Sequence, residues 1–119
     1  MSTIARVDET WEGEVPVAAL VGEIDASNAR EIGDRLWALL TNRLEAMVVD
    51  LSETVYVDSA GLNLLFALAE QMRGRQQTLA VVVRAGSPIE RMVRITGLEQ
   101  KASVCASVRS AFEGLASRG

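Results

Sequence analysis

The feature that most limits the possible folds is a pair of short, nearly continuous apolar runs separated by one helical pattern. The runs cover residues 46–51 and 78–83. Runs of this kind are typical of strands that are covered on both faces of a parallel sheet. Between them, apolar residues recur at three- and four-residue intervals from Ser59 to Gly74, which predicts a helix. Two strands joined by a helix predict parallel pairing with a right-handed crossover.

The segments before these runs predict a hairpin followed by another helix. A weak strand pattern at residues 4–10 and a stronger one at 14–24 are separated by residues 11–13, which would form the turn. From about Ser27 to Leu40 the apolar residues return to helical spacing, and charged residues occupy the opposite face.

The C-terminal third contains the most clearly marked helix of the chain. Ser87 is a good capping residue, Pro88 suits the first helical position, and Gly97 suits the C-terminal end. A short strand at 102–106 and a helix at 108–115 complete the pattern. The order β-β-α-β-α-β-α-β-α predicts an α/β fold with a mainly parallel sheet, an N-terminal antiparallel strand and about four helices. We expect one domain over residues 1–119.

Composition removes several classes of function. The 119 residues include no histidine and one cysteine, and the net charge is −4. Without histidine there is no Ser-His-Asp or Cys-His catalysis and no histidine metal site, so we expect no enzyme, metal or cofactor. The negative charge argues against direct nucleic-acid binding. No apolar run is long enough for membrane insertion and no secretory signal is visible, so we expect a cytoplasmic protein.

Two segments fall at the predicted C-terminal ends of strands, where binding sites gather in such sheets. The first is residues 22–25, ending in Asp25, and the second is residues 58–62, beginning with Asp58 and Ser59. The β-β-α-β order predicts that the two loops lie side by side. Asp58 and Ser59 are both good N-cap residues, and either could cap the helix that follows.

A phosphate on Ser59 would change this surface without unfolding the domain. It would meet the positive end of a helix and unpaired amides, and it would add about −1.5 to −2 charge beside Asp58. Gly61 costs helix stability, and we interpret it as leaving room for a partner's backbone near Ser59. The alternative is that Ser59 is only a cap, and by spacing alone that alternative is favoured.

The sequence resembles the STAS domain family, shared by sulphate transporters and bacterial anti-sigma factor antagonists. The resemblance rests on Leu-Val-Gly-Glu-Ile-Asp at 20–25, Val-Val-Asp-Leu at 48–51 and Val-Asp-Ser-Ala-Gly-Leu at 57–62, with a weaker match at 95–98. It implies that Ser59 is phosphorylated. It also implies a docking surface formed by the two aspartates and the residues after Ser59, which are Asp25, Asp58, Ala60, Gly61, Leu62 and Asn63.

The resemblance also implies a set of partners. The unphosphorylated protein would bind an anti-sigma factor with serine kinase activity and so release the sigma factor, and a metal-dependent serine phosphatase would restore this form. Two residues depart from the family pattern: Ala60 replaces a second hydroxyl, and Asn63 stands where glycine is common. Two alternatives stay open, a scaffold subunit of a larger signalling assembly and a cytoplasmic accessory domain in transport or lipid trafficking.

Overall fold

The computed structural model describes residues 5–118, so Ile4 of the first predicted strand lies outside the described part. The strands are β1 (Arg6–Glu12), β2 (Val15–Ile24), β3 (Ala46–Asp50), β4 (Thr54–Val57), β5 (Thr78–Val82) and β6 (Ser103–Cys105). The helices are α1 (Ala29–Ala38), α2 (Ser59–Gly74), α3 (Pro88–Thr96) and α4 (Val108–Arg118), with a 3-10 turn at Leu98–Gln100. The predicted α/β class, the mainly parallel sheet and the four helices are confirmed.

The sheet runs in the order β1-β2-β3-β5-β6, and among the strand pairs of residues 5–118 only β1–β2 is antiparallel. One face carries α1, α2 and α3, whose buried side chains include Leu36, Leu65 and Val93. The other face carries α4, which buries Ala111 against β3 and β5. Successive residues of β3 point to opposite faces of the sheet. Met47 and Val49 pack on the face that carries α1, α2 and α3, and Val48 packs on the face that carries α4.

Strand β4 is the element that the sequence pattern did not predict. It pairs in parallel with the second half of β2, whereas β3 pairs with the first half. The register shifts between Gly22 and Glu23, and Gly22 has a φ of 107°, a conformation that favours glycine. A run of four residues with Val55 and Tyr56 exposed has no strand-like burial pattern of its own, so its pairing depends on the bulge in β2.

Helix α3 has the ends that its sequence predicted. The Ser87 hydroxyl accepts the Glu90 N–H at 3.1 Å, and Pro88 is the first helical residue. Gly97 ends the helix in the left-handed conformation, with a φ of 83°. Helix α1 is shorter than predicted: it covers Ala29–Ala38, whereas the sequence pattern predicted a helix from about Ser27 to Leu40. None of the helices in residues 5–118 combines the length and apolar character needed to cross a membrane.

Candidate functional site

The two loops expected to be neighbours are in contact. Ile24, the last residue of β2, pairs with Val57, the last residue of β4, and the Asp58 N–H donates to the Ile24 carbonyl at 3.1 Å. The loops that carry Asp25 and Ser59 therefore lie side by side at the C-terminal rim of the sheet. This prediction is confirmed, and β4 supplies the contact.

Asp58 joins the start of α2 to the loop after β2. Its Oδ1 accepts the N–H groups of Ala60 at 2.9 Å and Gly61 at 3.1 Å, so Asp58 is the N-cap of α2. Its Oδ2 accepts the N–H of Ala26 at 3.1 Å. One carboxylate therefore satisfies three backbone donors from two segments that are distant in sequence.

Ser59 is the first residue of α2, and its side chain is exposed. Among the described residues, none forms a hydrogen bond with its hydroxyl. Capping by Ser59, one of the two options open from the sequence, is therefore wrong. The expectation that a phosphate here would meet unpaired amides also needs correction, because the amides of Ala60 and Gly61 already donate to Asp58.

Asp25 stabilises its own loop. Its Oδ1 accepts the N–H of Ser27 at 2.9 Å and also the Ser27 hydroxyl. Asn28 occupies the N-cap position of α1 and clamps the loop from the other side: its Oδ1 accepts the Asp25 N–H at 3.0 Å, and its Nδ2 donates to the Glu23 carbonyl at 2.8 Å. The Asp25 carboxylate therefore stabilises this loop and does not cap α1.

The hydrogen bonds from Ser27 predict a pH dependence for Asp25→Asn. The side-chain bond, with the backbone bond second, lowers the pKa of Asp25 below its ordinary 3.8. A carboxyl whose pKa is lower in the folded state stabilises the fold above the unfolded-state pKa and loses this effect as pH falls through the folded-state pKa. We expect wild type to unfold at higher urea concentration than Asp25→Asn above pH ~4, with the difference disappearing at lower pH.

Urea unfolding between about pH 2 and pH 7 measures this difference. The matched control is Asp34→Asn, an exposed aspartate on α1 whose carboxylate has no hydrogen bond among the described residues. If the difference in urea midpoint between wild type and Asp25→Asn stays constant across this pH range, the Asp25 carboxylate does not stabilise the fold through its charge.

Gly61 is buried, and its Cα faces the interior of the protein. A Cβ at this position would lie 2.8 Å from both Ile24 Cγ2 and Val57 Cγ1, and 3.2 Å from the Ile24 carbonyl oxygen. The glycine therefore allows α2 to approach the ends of β2 and β4. This replaces the interpretation that it leaves room for a partner's backbone.

Strand β4, which precedes Ser59 in the chain, carries two exposed apolar side chains. Val55 is 69% exposed and Tyr56 is 52% exposed. Sequence reasoning missed both, although two large apolar residues just before the Asp58-Ser59 element were a usable signal. Exposed apolar side chains beside a polar element are typical of protein–protein contact surfaces.

A shallow groove between α1 and α2 includes Ala60, the residue after Ser59. Trp37 and Leu64 line it together with Ala60 and Asn63, two of the residues predicted to bind a partner. Trp37 is 37% exposed. Leu62 is half-buried, and its N–H donates to the Asp58 carbonyl within the first turn of α2. Ser59 therefore follows the exposed residues Val55 and Tyr56 in the chain and directly precedes Ala60, which lines the groove.

Known proteins share both the sequence pattern and the architecture. A curated relative, the anti-sigma-F factor antagonist RsfB of Mycobacterium tuberculosis, is 29% identical over 101 residues, which cover 85% of this chain and 81% of that protein. The crystal structure of an anti-sigma factor antagonist from Mycobacterium paratuberculosis superposes with a TM-score of 0.80 at 26% identity, covering 95% of this chain and 93% of that one.

More distant structures share the fold. The Bacillus cell fate determinant SpoIIAA in its phosphorylated form superposes with a TM-score of 0.67 at 15% identity, over 94% of this chain and 99% of that one. The family described as Mlab, STAS domain matches residues 7–108, which include β4, the Asp58-Ser59 element and most of the sheet. The chain therefore belongs to the STAS domain family.

Proposed function

We propose that this chain is an anti-sigma factor antagonist that binds an anti-sigma factor when unphosphorylated and loses that binding when Ser59 is phosphorylated. The observation that carries the proposal is the position of the Ser59 hydroxyl, which is exposed at the first residue of α2 and has no hydrogen bond to any of residues 5–118. The antagonist RsfB, the relative described above, supports the same role.

The surroundings of Ser59 support a charge-based switch. Val55 and Tyr56 offer apolar contact area, and the anchored carboxylates of Asp25 and Asp58 supply fixed negative charge. A phosphate on Ser59 would add about −1.5 to −2 charge beside Asp58. A partner that fits the neutral serine would have to desolvate this charge, which costs binding free energy. The anti-sigma factor would itself be the serine kinase, and a metal-dependent serine phosphatase would reverse the reaction.

This proposal predicts different effects of two substitutions of nearly equal size. Ser59→Asp adds a negative charge at the switch position, and we expect it to raise the Kd for the anti-sigma factor roughly tenfold or more. Ser59→Asn adds similar volume without the charge and should bind more tightly than the aspartate variant. Titration calorimetry with the purified anti-sigma factor measures both constants. Equal loss of affinity in the two variants would mean that size, and not charge, disturbs the interface.

Phosphorylation itself is tested with the cognate kinase and ATP. Wild type should gain one phosphate and Ser59→Ala none, and this variant should keep its stability because Asp58 is the cap. Unchanged phosphorylation of Ser59→Ala would refute the assignment of the modified residue.

Affinity capture from the native cell separates the proposed role from its alternatives. We expect it to recover an anti-sigma factor with kinase activity. Recovery of a transport complex instead would contradict the proposal and favour an accessory domain in transport or lipid trafficking. Recovery of a large assembly of related subunits would favour a scaffold.

A further inference from the structure

Strand β1 is an open edge of the sheet. It pairs with β2 along one side over seven residues, and within residues 5–118 no strand pairs with its other side. Val7 is its only buried side chain, and Trp11 is 55% exposed. An unpaired strand edge of this length is a template for the addition of another strand.

The charges of β1 restrict which strand can be added. Four of its seven residues are charged, namely Arg6, Asp8, Glu9 and Glu12. Charged side chains on an edge strand oppose indiscriminate pairing, so only a strand with a complementary order of charges fits. A second copy of β1 is one such strand. In a two-fold antiparallel pair, facing residues lie on the same side of the sheet, so one residue at the centre must face its own copy.

The register centred on Glu9 gives the complementary order. In it, Arg6 of each copy, which also pairs with Asp8 of its own strand at 2.9 Å, faces Glu12 of the other copy, so that two pairs of opposite charge form on one face of the sheet. On the other face, Val7 of each copy faces the exposed Trp11 of the other. Pairs of opposite charge and pairs of aromatic with β-branched side chains are the ones that favour cross-strand association.

The neighbouring registers lack this match. Centred on Asp8, the two Asp8 carboxylates face each other and Val7 faces a glutamate. Centred on Thr10, Asp8 faces Glu12 twice, which places like charges together. The Glu9 register also brings like charges to its centre, but each Glu9 carboxylate already has a cation, because Arg35 Nη2 of α1 lies 3.3 Å from Glu9 Oε2.

We propose that the chain forms a symmetric homodimer through antiparallel pairing of β1, in the register centred on Glu9. The two sheets become one continuous sheet across the two-fold axis. The pairing involves neither Ser59 nor the surface around it, so the homodimer stands or falls independently of the proposed regulatory function.

Charge reversal tests both the dimer and its register. Arg6→Glu and Glu12→Arg each turn two attractive pairs into two like-charge pairs, so each variant should raise the dimer Kd roughly tenfold or more. An equimolar mixture of the two variants places opposite charges at both positions and should recover dimers. The double variant Arg6→Glu/Glu12→Arg should dimerise like wild type. Arg91→Glu, an exposed reversal on α3, is the matched control and should leave association unchanged.

Sedimentation equilibrium on the full chain measures association, with 12.8 kDa as the mass of the monomer. Trp11 fluorescence in a Trp37→Phe background reports the burial of Trp11 and should shift to shorter wavelength as the dimer forms. A wild type that stays monomeric up to ~1 mM, the weak end of measurable affinity, would overturn the proposal. Dimers that are equally strong in both single variants would overturn it too, because another surface would then hold them.

Discussion

Gly61→Ala is expected to lower the free energy of unfolding by about 1–3 kcal/mol, although alanine is the better helix former. The added Cβ would lie 2.8 Å from methyl groups of Ile24 and Val57 and 3.2 Å from a backbone oxygen. Both methyl groups belong to β-branched side chains, which have few alternative rotamers. Relief therefore requires α2 to move away from the ends of β2 and β4, and this loses packing at the site itself.

The control for this prediction lies at the other end of the same helix. A Cβ at Gly74 would meet no atom of the described residues within 4 Å apart from its chain neighbours and its own turn of helix, so Gly74→Ala should change stability by less than about 1 kcal/mol, in the stabilising direction. Urea unfolding of wild type and both variants gives the comparison. If the two substitutions shift stability in the same direction by similar amounts, the close approach at Gly61 has no energetic importance.

Asp58→Ala is the second substitution for which we expect a large effect. It leaves the amides of Ala60 and Gly61 without their cap, which costs about 1–2 kcal/mol. It also removes the acceptor of the Ala26 N–H, at a cost of about 1 kcal/mol. We expect a total loss of about 2–3 kcal/mol, measured by chemical unfolding.

Two further variants separate these contributions. Asp58→Asn keeps an oxygen that can cap α2, because asparagine caps about as well as aspartate, but its amide group cannot accept from Ala26. It should fall between wild type and Asp58→Ala, with faster hydrogen exchange at the Ala26 amide. Ser59→Ala should be close to wild type. A larger loss of stability for Ser59→Ala than for Asp58→Ala would contradict the conclusion that Asp58 is the cap of α2.

Features with local causes were predictable from the sequence. The ends of α3 follow from Ser87, Pro88 and Gly97, each of which acts on residues within four positions of itself. The strands β3 and β5 follow from apolar runs that need no knowledge of their neighbours.

Features with distant causes were not predictable. Gly61 was recognisable as unusual for a helix, but the atoms that require it come from β2 and β4, so the sequence suggested the wrong reason. The choice of Asp58 over Ser59 as the cap depends on backbone dihedrals, which two good capping residues in succession leave open. Trp37 became a candidate only when its exposure was known, whereas the position of Val55 and Tyr56 just before the Asp58-Ser59 element was a signal that the sequence analysis did not use.

The hydrogen bonds that the first amides of α2 donate to Asp58 have a consequence for the stability of the phosphorylated protein in the cell. Because Ala60 and Gly61 already donate to Asp58, an exposed phosphate on Ser59 would gain few contacts within the fold and break none. The modified and unmodified forms should therefore be similarly resistant to unfolding. Proteases and chaperones act on the unfolded fraction, so they would not distinguish the two forms. The phosphorylated protein would then accumulate in the folded state, and dephosphorylation would restore its binding to the anti-sigma factor without new protein synthesis.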